Sequence, residues 1–378
     1  MSKPRILHIS TAHSPHDPRL VYRVMPSLAP YYELIALLPN VPKSGLPGIR
    51  CISLPFFRRV ITRFLVSHPR VLWHALRLRP TLLHLYDPEL LPVARLIQLL
   101  LGIPVIYEVH ENLHKKADLK ALNQGRLVVW FFRQFDAMAQ RRFWLIFTEH
   151  GYLSTYTRLR YPSVVVYNFP SLSFLEPYQR PYQPDPAQPR LFYIGWLSLE
   201  RAFDTLVAGL AQWSQSQPDF RVHLFGERTF SDTTMQQLPG FRQIASKLIF
   251  HGYTSQREAL PYAEHALAGL ALLKPVGDYP ESYTTKMFEY MALGLPVITA
   301  DFPLYRDVVE RHGCGFCIAP DSPAQLADAL TYLTHHPAEA RAMGERGRQA
   351  VARYYNWETE ARKLRSFYRQ VLGNSPDS

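Results

Sequence analysis

The chain is poor in cysteine, in long apolar runs and, over one half, in acidic residues. Three cysteines among 378 residues exclude a disulfide scaffold and fit a reducing compartment. Cys314 and Cys317 form a lone Cys-x-x-Cys, and no second pair completes the four ligands of a structural zinc. That pair sits in Gly313 to Ile318, which reads as a turn into a strand, whereas a redox pair opens a helix, so it is expected to be inert. No run of 18 apolar residues occurs, and the greasiest stretch, Leu90 to Tyr107, is broken by Arg95 and Gln98, so no transmembrane helix is expected. Met1-Ser2-Lys3-Pro4-Arg5 leads into a strand-like run and not into a signal h-region, which points to the cytoplasm. No Gly-x-Gly-x-x-Gly follows the first strand of either half, which disfavours a dinucleotide oxidoreductase. Asp-x-Asp is also absent, so neither a metal nor another cofactor is expected. His8, His13 and His16 are close in sequence, but His8 falls inside a strand run and a metal site is not expected there.

Charge is distributed unevenly. The net charge is +11. Residues 1–170 hold 22 Lys and Arg against 9 Asp and Glu, while residues 171–378 hold 20 against 22. Arg58, Arg59, Arg63, Arg70, Arg77 and Arg79 punctuate an aromatic and aliphatic stretch, Phe56 to Arg79, that contains no acid. Such a basic amphipathic segment suits an anionic membrane surface, and equally a solvated helix whose apolar side packs inward. No recognition motif accompanies the charge, so no nucleic-acid partner is expected.

Short apolar runs alternate with helical patterns. Ile6–Ser10, Leu34–Leu38, Leu82–Tyr86, Val105–Val109, Leu145–Thr148 and Val164–Tyr167 read as buried strands, with helices at Glu89–Leu101 and Leu127–Arg141. The pattern restarts after a proline-rich stretch, with strands at Leu191–Ile194, Arg221–Phe225, Leu248–His251, Gly269–Leu273 and Val297–Thr299. Helices near Phe203–Gln215, Arg257–His265 and Ala324–Thr334 separate these strands, and Pro337 to Leu372 is helical throughout. The expectation is an α/β protein with two doubly wound, Rossmann-like domains facing a cleft. Its parts would be an N-terminal domain over 1–170, a linker over 171–190, a C-terminal domain over 191–355 and a final helix over 356–378.

The densest chemistry lies in Glu281-Ser282-Tyr283-Thr284-Thr285-Lys286-Met287-Phe288-Glu289. The spacing predicts a helix over Thr285 to Leu293. Its first-turn donors, near Tyr283, Thr284 and Thr285, and the helix dipole favour an anion. Lys286 adds a full charge, and Glu289 shares its helix face and would accept two hydrogen bonds from a ribose diol. Glu281, on the loop, would reach a sugar. The plainer alternative is a surface pair between Lys286 and Glu289 beside a solvated Glu281.

With its continuation Tyr290-Met291-Ala292-Leu293-Gly294-Leu295-Pro296-Val297-Ile298, this segment resembles the retaining GT-B glycosyltransferases of family four, the glycosyl transferases group 1. The resemblance spans nearly the whole chain. It implies that Glu289 holds the ribose, while Glu281, Ser282, Tyr283, Thr284 and Thr285 serve the donor sugar and its phosphates. Tyr193-Ile194-Gly195-Trp196-Leu197-Ser198-Leu199-Glu200-Arg201 is similar to the family's Gly-Arg-Leu-Ser-Pro-Glu-Lys loop. There Gly195 would admit a phosphate and Arg201 would pair with it. Trp196 departs from the pattern, standing where many members carry arginine.

His110, ending Ile106-Tyr107-Glu108-Val109-His110-Glu111-Asn112, resembles the family's strand-end histidine facing the donor sugar. The resemblance thus gives catalytic roles to His110, Arg201, Lys286 and Glu281, and a base contact to Tyr253 after Gly252. Loops carrying His13, Asp17, Arg19, Asp87 and Glu111 suit acceptor binding, although Asp17 and Arg19 equally suit a loop-stabilising ion pair.

The implied reaction moves a sugar from a UDP- or GDP-linked donor to a hydroxyl acceptor with retention, the acceptor being a glycan or a lipid-linked intermediate. It needs no metal and would take place in the cytoplasm, peripheral to the inner face of a membrane. Competing readings are a GT-B epimerase, which turns over donor alone, a phosphorylase, which needs phosphate, and a non-catalytic nucleotide-sugar-binding module.

Overall fold

The structure, a computed structural model, describes residues 3–15, 17–42, 44–46, 48–110 and 126–373. His16 and Glu111, named above, lie outside these residues. The chain divides into two compact units, Met1–Asn168 with Trp357–Ser378, and Phe169–Asn356.

The first unit holds a seven-stranded parallel sheet of β1 (Arg5–Ile9), β2 (Glu33–Pro39), β3 (Arg50–Leu54), β4 (Leu82–Leu85), β5 (Val105–Val109), β6 (Trp144–Phe147) and β7 (Ser163–Val165). The spatial order is β3-β2-β1-β4-β5-β6-β7. Helices α1 (His68–Leu78), α2 (Leu91–Leu101) and α3 (Arg126–Arg142) belong to the same unit. Sequence reading missed β3. It is an edge strand whose Arg50 and Ser53 are exposed, so it lacks the continuous apolar run that marks a strand buried on both faces. Arg63 also departs from its expected place on a basic surface, because its Nε lies 3.2 Å from Glu89 Oε1 in the interior.

The second unit is built on β8 (Arg190–Ile194), β9 (Arg221–Phe225), β10 (Leu248–Gly252), β11 (Ala266–Ala271), β12 (Val297–Ala300) and β13 (Gly315–Ile318). All strands are parallel, in the order β10-β9-β8-β11-β12-β13. Its main helices are α4 (Phe203–Trp213), α5 (Thr285–Ala292), α6 (Pro303–His312), α7 (Pro323–His335) and α8 (Pro337–Arg353). α7 starts where Ser322 accepts the Gln325 N–H and Pro323 fills the first turn.

Two expectations fail in this unit. The helix expected over Arg257–His265 stops after Gln256–Ala259 and tightens into a turn at Leu260–Ala263, because Pro261 has no N–H to continue it. The proline-rich stretch 171–190 is not a free linker. Gln179 Nε2 donates to Ala292 O (3.1 Å), and the Tyr182 hydroxyl to Leu267 O (2.9 Å), which fastens the stretch to the second unit.

The last helix, α9 (Trp357–Val371), packs in the first unit. Trp357, Ala361, Leu364, Phe367 and Tyr368 join Ile6, Leu34, Leu82, Ile106 and Ile146 in one core cluster. Trp357 Nε1 donates to Ser27 Oγ (2.8 Å), and the buried Glu360 accepts the Tyr167 N–H (2.9 Å).

Candidate active-site residues

In each unit the residues named from sequence gather at the carboxyl ends of the strands, where open parallel sheets bind ligands.

In the first unit the loops after β1, β4 and β5 meet. Asp87 is buried, and its Oδ2 accepts the N–H of Thr11 (2.5 Å), the N–H of Ala12 (3.2 Å) and the Ser10 hydroxyl (2.8 Å). Its Oδ1 lies 2.9 Å from His13 Nδ1. Burial works against the charged form of both partners, but their mutual attraction wins. Asp87 is held down at about 2, helped by Thr11 and Ser10, and His13 is pushed up to about 9, helped by Asp17 and Glu108. The His13 and His110 rings are tilted, with centroids 5.0 Å apart.

Asp17 and Arg19 do not form the loop ion pair that their spacing allowed. Asp17 Oδ1 accepts the backbone N–H groups of Arg19 and Leu20, both at 2.9 Å. The Arg19 guanidinium turns inward, giving Nε to Glu108 Oε1 (2.6 Å) and Nη2 to Val166 O (2.8 Å).

Glu108 escaped sequence reading. It lies fully buried in β5. His110 Nε2 is 2.8 Å from its Oε1, and His84 Nε2 is 3.4 Å from its Oε2. The only signal was an acid inside the otherwise apolar run Val105–Val109. Burial would raise this carboxyl, but Arg19, His110 and His84 outweigh it and hold the group well below the usual carboxylate range.

In the second unit, three loops are stitched at the sheet edge. The Gly195 N–H donates to Phe225 O (2.8 Å), and the Gly226 N–H to Gly252 O (2.7 Å). Gly195 and Gly226 both have positive φ, at 133° and 138°. A Cβ on Gly226 would lie 2.0 Å from Gly195 O, and one on Gly195 would lie 2.9 Å from Arg201 Nη1. Glycine is therefore required at both positions, and Arg201 lies over the Gly195 turn.

Helix α5 begins at Thr285, and the Thr284 side chain does not cap it. Lys286 and Glu289 are buried, which rules out the plain surface pair. Glu289 Oε1 accepts from Gln256 Nε2 (3.0 Å), a partner that no sequence signal pointed to. Lys286 Nζ sits 4.1 Å from the centroid of the Tyr193 ring. Among the described residues it finds no hydrogen-bond partner. Burial and then the Arg201 charge press its pKa well below the usual lysine value, with Glu289 opposing them.

The remaining named residues lie at the rim. The Tyr305 hydroxyl donates to Ser282 O (2.9 Å), which holds the loop before α5. The Tyr283 ring packs on Phe288, and Glu281 is on the exposed side of the turn Tyr279–Glu281. Trp196 and Tyr253 are exposed beside this edge.

Two doubly wound parallel sheets, each with polar clusters at its carboxyl edge, define the GT-B class. The family model for glycosyl transferases group 1 matches residues 176–350. The model for the glycosyl transferase 4-like domain matches residues 38–168. The second unit thus matches the glycosyl transferases group 1 family and the first a glycosyl transferase 4-like domain.

Among relatives, it is 27% identical over 237 residues to the GDP-mannose-dependent alpha-(1-6)-phosphatidylinositol monomannoside mannosyltransferase of Mycobacterium tuberculosis, covering 58% of this chain and 60% of that protein. It is 26% identical over 189 residues to the D-inositol 3-phosphate glycosyltransferase of Segniliparus rotundus, covering 50% and 41%. The chain thus spans between two fifths and three fifths of these relatives' lengths. Among solved structures, the sucrose-phosphate synthase of Thermosynechococcus elongatus matches with TM-score 0.74 and 17% identity over 99% of this chain and 100% of that one. Anabaena Alr3699/HepE in complex with UDP-glucose matches with TM-score 0.71 and 14% identity over 97% and 99%. At these identities the structural likeness speaks for the fold.

Proposed function

We propose that the protein transfers a sugar from a nucleoside-diphosphate sugar to a hydroxyl acceptor, with retention of configuration and without a metal. The observation that carries this reading is Lys286, a buried amine with no hydrogen-bond partner among the described residues and with its charged form disfavoured by burial. An unpaired buried charge is costly, and a diphosphate would relieve it. Arg201, over the Gly195 turn, would take the second share of the negative charge that develops as the diphosphate leaves. Glu289 would exchange the Gln256 amide for the ribose hydroxyls. His110 would face the donor sugar, and the His13–Asp87 loops would receive the acceptor. Attack from the face of departure, with the leaving phosphate accepting the acceptor's proton, is the chemistry the family resemblance suggests.

Thermal shift with UDP, GDP, ADP and TDP, each with Mg²⁺ and with EDTA, tests this reading. One nucleotide should stabilise the protein equally in both conditions. At 100 times its dissociation constant it would add about 2.7 kcal/mol. A shift with none of them would favour a fold that has lost its donor site, with Trp196 the first residue to suspect.

We infer also that residues 56–79 rest on an anionic membrane surface, supporting a lipid-linked acceptor and a peripheral, cytoplasmic-face location. Ile61, Leu65 and Trp73 are 63%, 66% and 54% exposed. Arg58, Arg59, Arg70, Arg77 and Arg79 are exposed around them, and the Arg77 guanidinium lies 5.3 Å from the Trp73 ring centroid. The neighbouring α2 adds exposed Leu99 and Leu100. No helix among the described residues is long and apolar enough to cross a membrane, so this contact would be a surface one. Each basic residue near such a surface adds about 1 kcal/mol. Co-sedimentation with phosphatidylserine vesicles should occur at low salt, weaken as salt rises and fall in the Leu65→Ser, Trp73→Ser double variant. Binding that ignores salt, or no binding at all, overturns this inference.

A further inference from the structure

Glu108 is an acid where β5 would pack best with an apolar residue. A buried ion pair is often no more stabilising than apolar side chains of similar volume, so stability alone does not account for it. Its surroundings are specific. Arg19 Nε holds Oε1 from the loop that follows β1, at 2.6 Å. His110 Nε2, two residues on and on the same strand face, is 2.8 Å from that oxygen. His84 Nε2, from β4, lies 3.4 Å from Oε2. The other nitrogen of His84, Nδ1, is hydrogen-bonded to the hydroxyl of Tyr368 on α9. Tyr86 stacks on His84, with centroids 4.4 Å apart, and its hydroxyl is 2.8 Å from His8 Nδ1. A row of polar groups thus runs from the last helix, Tyr368 to His84 to Glu108, and ends at His110, with His84 Nε2 and Glu108 Oε2 facing each other at 3.4 Å without a hydrogen bond. The imidazole of His110 keeps 20% of its surface exposed.

We infer that Glu108 is the positioning residue of His110. A carboxylate against Nε2 selects the neutral tautomer protonated at Nε2, leaving Nδ1 as the nitrogen with a lone pair. The His110 N–H points off the line to Oε1, so the contact is electrostatic first and becomes a full hydrogen bond on a small rotation of the ring. Arg19 keeps the carboxylate ionised, and Tyr368, hydrogen-bonded to His84, fixes the ring that faces its second oxygen. α9 thereby acts on His110 without touching it. The groups facing this row are Arg19, His8, His84, Tyr86, His13 and Tyr368. The significance of His110 rests on the proposed transferase reading, whereas its tautomer does not.

The first test therefore needs neither donor nor acceptor. Long-range ¹H–¹⁵N spectra of ¹⁵N-histidine-labelled full-length protein, with His110 assigned by its loss in His110→Gln, report the tautomer at a pH where the ring is neutral. The wild type should show a proton at Nε2, with a tautomer mixture in Glu108→Gln. Tyr368→Phe, a milder change should Glu108→Gln fail to fold, should move His110 part of the way. A wild-type ring protonated at Nδ1, or an unchanged ring in both folded variants, overturns the inference while leaving the transferase reading standing. Once a donor is found, Glu108→Gln should lower kcat ten- to a hundredfold with donor KM within threefold. Combined with His110→Gln it should cost no more than His110→Gln alone, and additive losses would mean that Glu108 acts elsewhere.

Discussion

The two polar clusters are built on opposite electrostatic plans. In the first unit, opposite charges meet directly. Asp87 has His13, and Glu108 has Arg19 with His110 and His84 nearby. In the second unit, Lys286 is buried beside a like charge, Arg201, and its ammonium finds no hydrogen bond among the described residues. One cluster pairs its charges without ligand, although Glu108 Oε2, His84 Nε2 and His110 Nε2 make no hydrogen bond, while the other carries a deficit that an anion would fill. Removing a charge should therefore harm the first cluster and relieve the second.

The largest expected effect is on the charge-paired cluster. Glu108→Ala leaves the Arg19 guanidinium without its buried counter-charge and should cost about 3–5 kcal/mol in chemical denaturation. A loss below 1 kcal/mol would mean that the network is slack.

A pH series sharpens the same contrast. His13, raised to about 9, stabilises the fold fully below its unfolded value of 6.5 and loses that contribution as pH climbs through 9. Asp87, lowered to about 2, contributes above its unfolded value of 3.8 and loses its share as pH falls through 2. The paired groups should contribute at most on the order of 2–3 kcal/mol. His13→Gln should flatten the alkaline fall, and an identical slope in that variant would show that another group sets it.

On the incomplete cluster the sign should reverse. Lys286→Met should stabilise the ligand-free protein by about 1–3 kcal/mol, the cost of a buried polar group left without a partner. The same change should abolish the nucleotide-induced shift. In the wild type, nucleoside diphosphate should restore the Lys286 charge, so calorimetry in buffers of different ionisation enthalpy should report proton uptake at alkaline pH. Destabilisation by Lys286→Met would end the contrast between the units.

The smallest effect concerns Trp196. Replacing this exposed side chain with the arginine that many family members carry should tighten diphosphate binding about fivefold, or about 1 kcal/mol. Unchanged affinity would place Trp196 outside the phosphate site.

Most strands were legible because parallel strands buried on both faces read as apolar runs. Val105–Val109 and Arg221–Phe225 were delimited to the residue. β3 was not, because a half-exposed edge strand lacks that run, and the helix after Ser255 was overextended because Pro261 was read through. Lys286, Glu289, Gly195 and Arg201 could be singled out in the sequence because a helix start and a glycine turn are local devices and because their segments resemble a known family; their roles are the proposal made above. Glu108, His84, Tyr368 and Gln256 were not readable. Their chemistry depends on strands and helices far apart in sequence, as with His84 and Tyr368, which are 284 residues apart. The sequence by itself determined two parallel sheets and the residue types at their carboxyl edges, since burial periodicity and turn chemistry act over a few neighbours. Only the tertiary structure decided which charges are paired and which is left waiting, because ion pairing depends on distances of a few ångströms that local pattern does not encode.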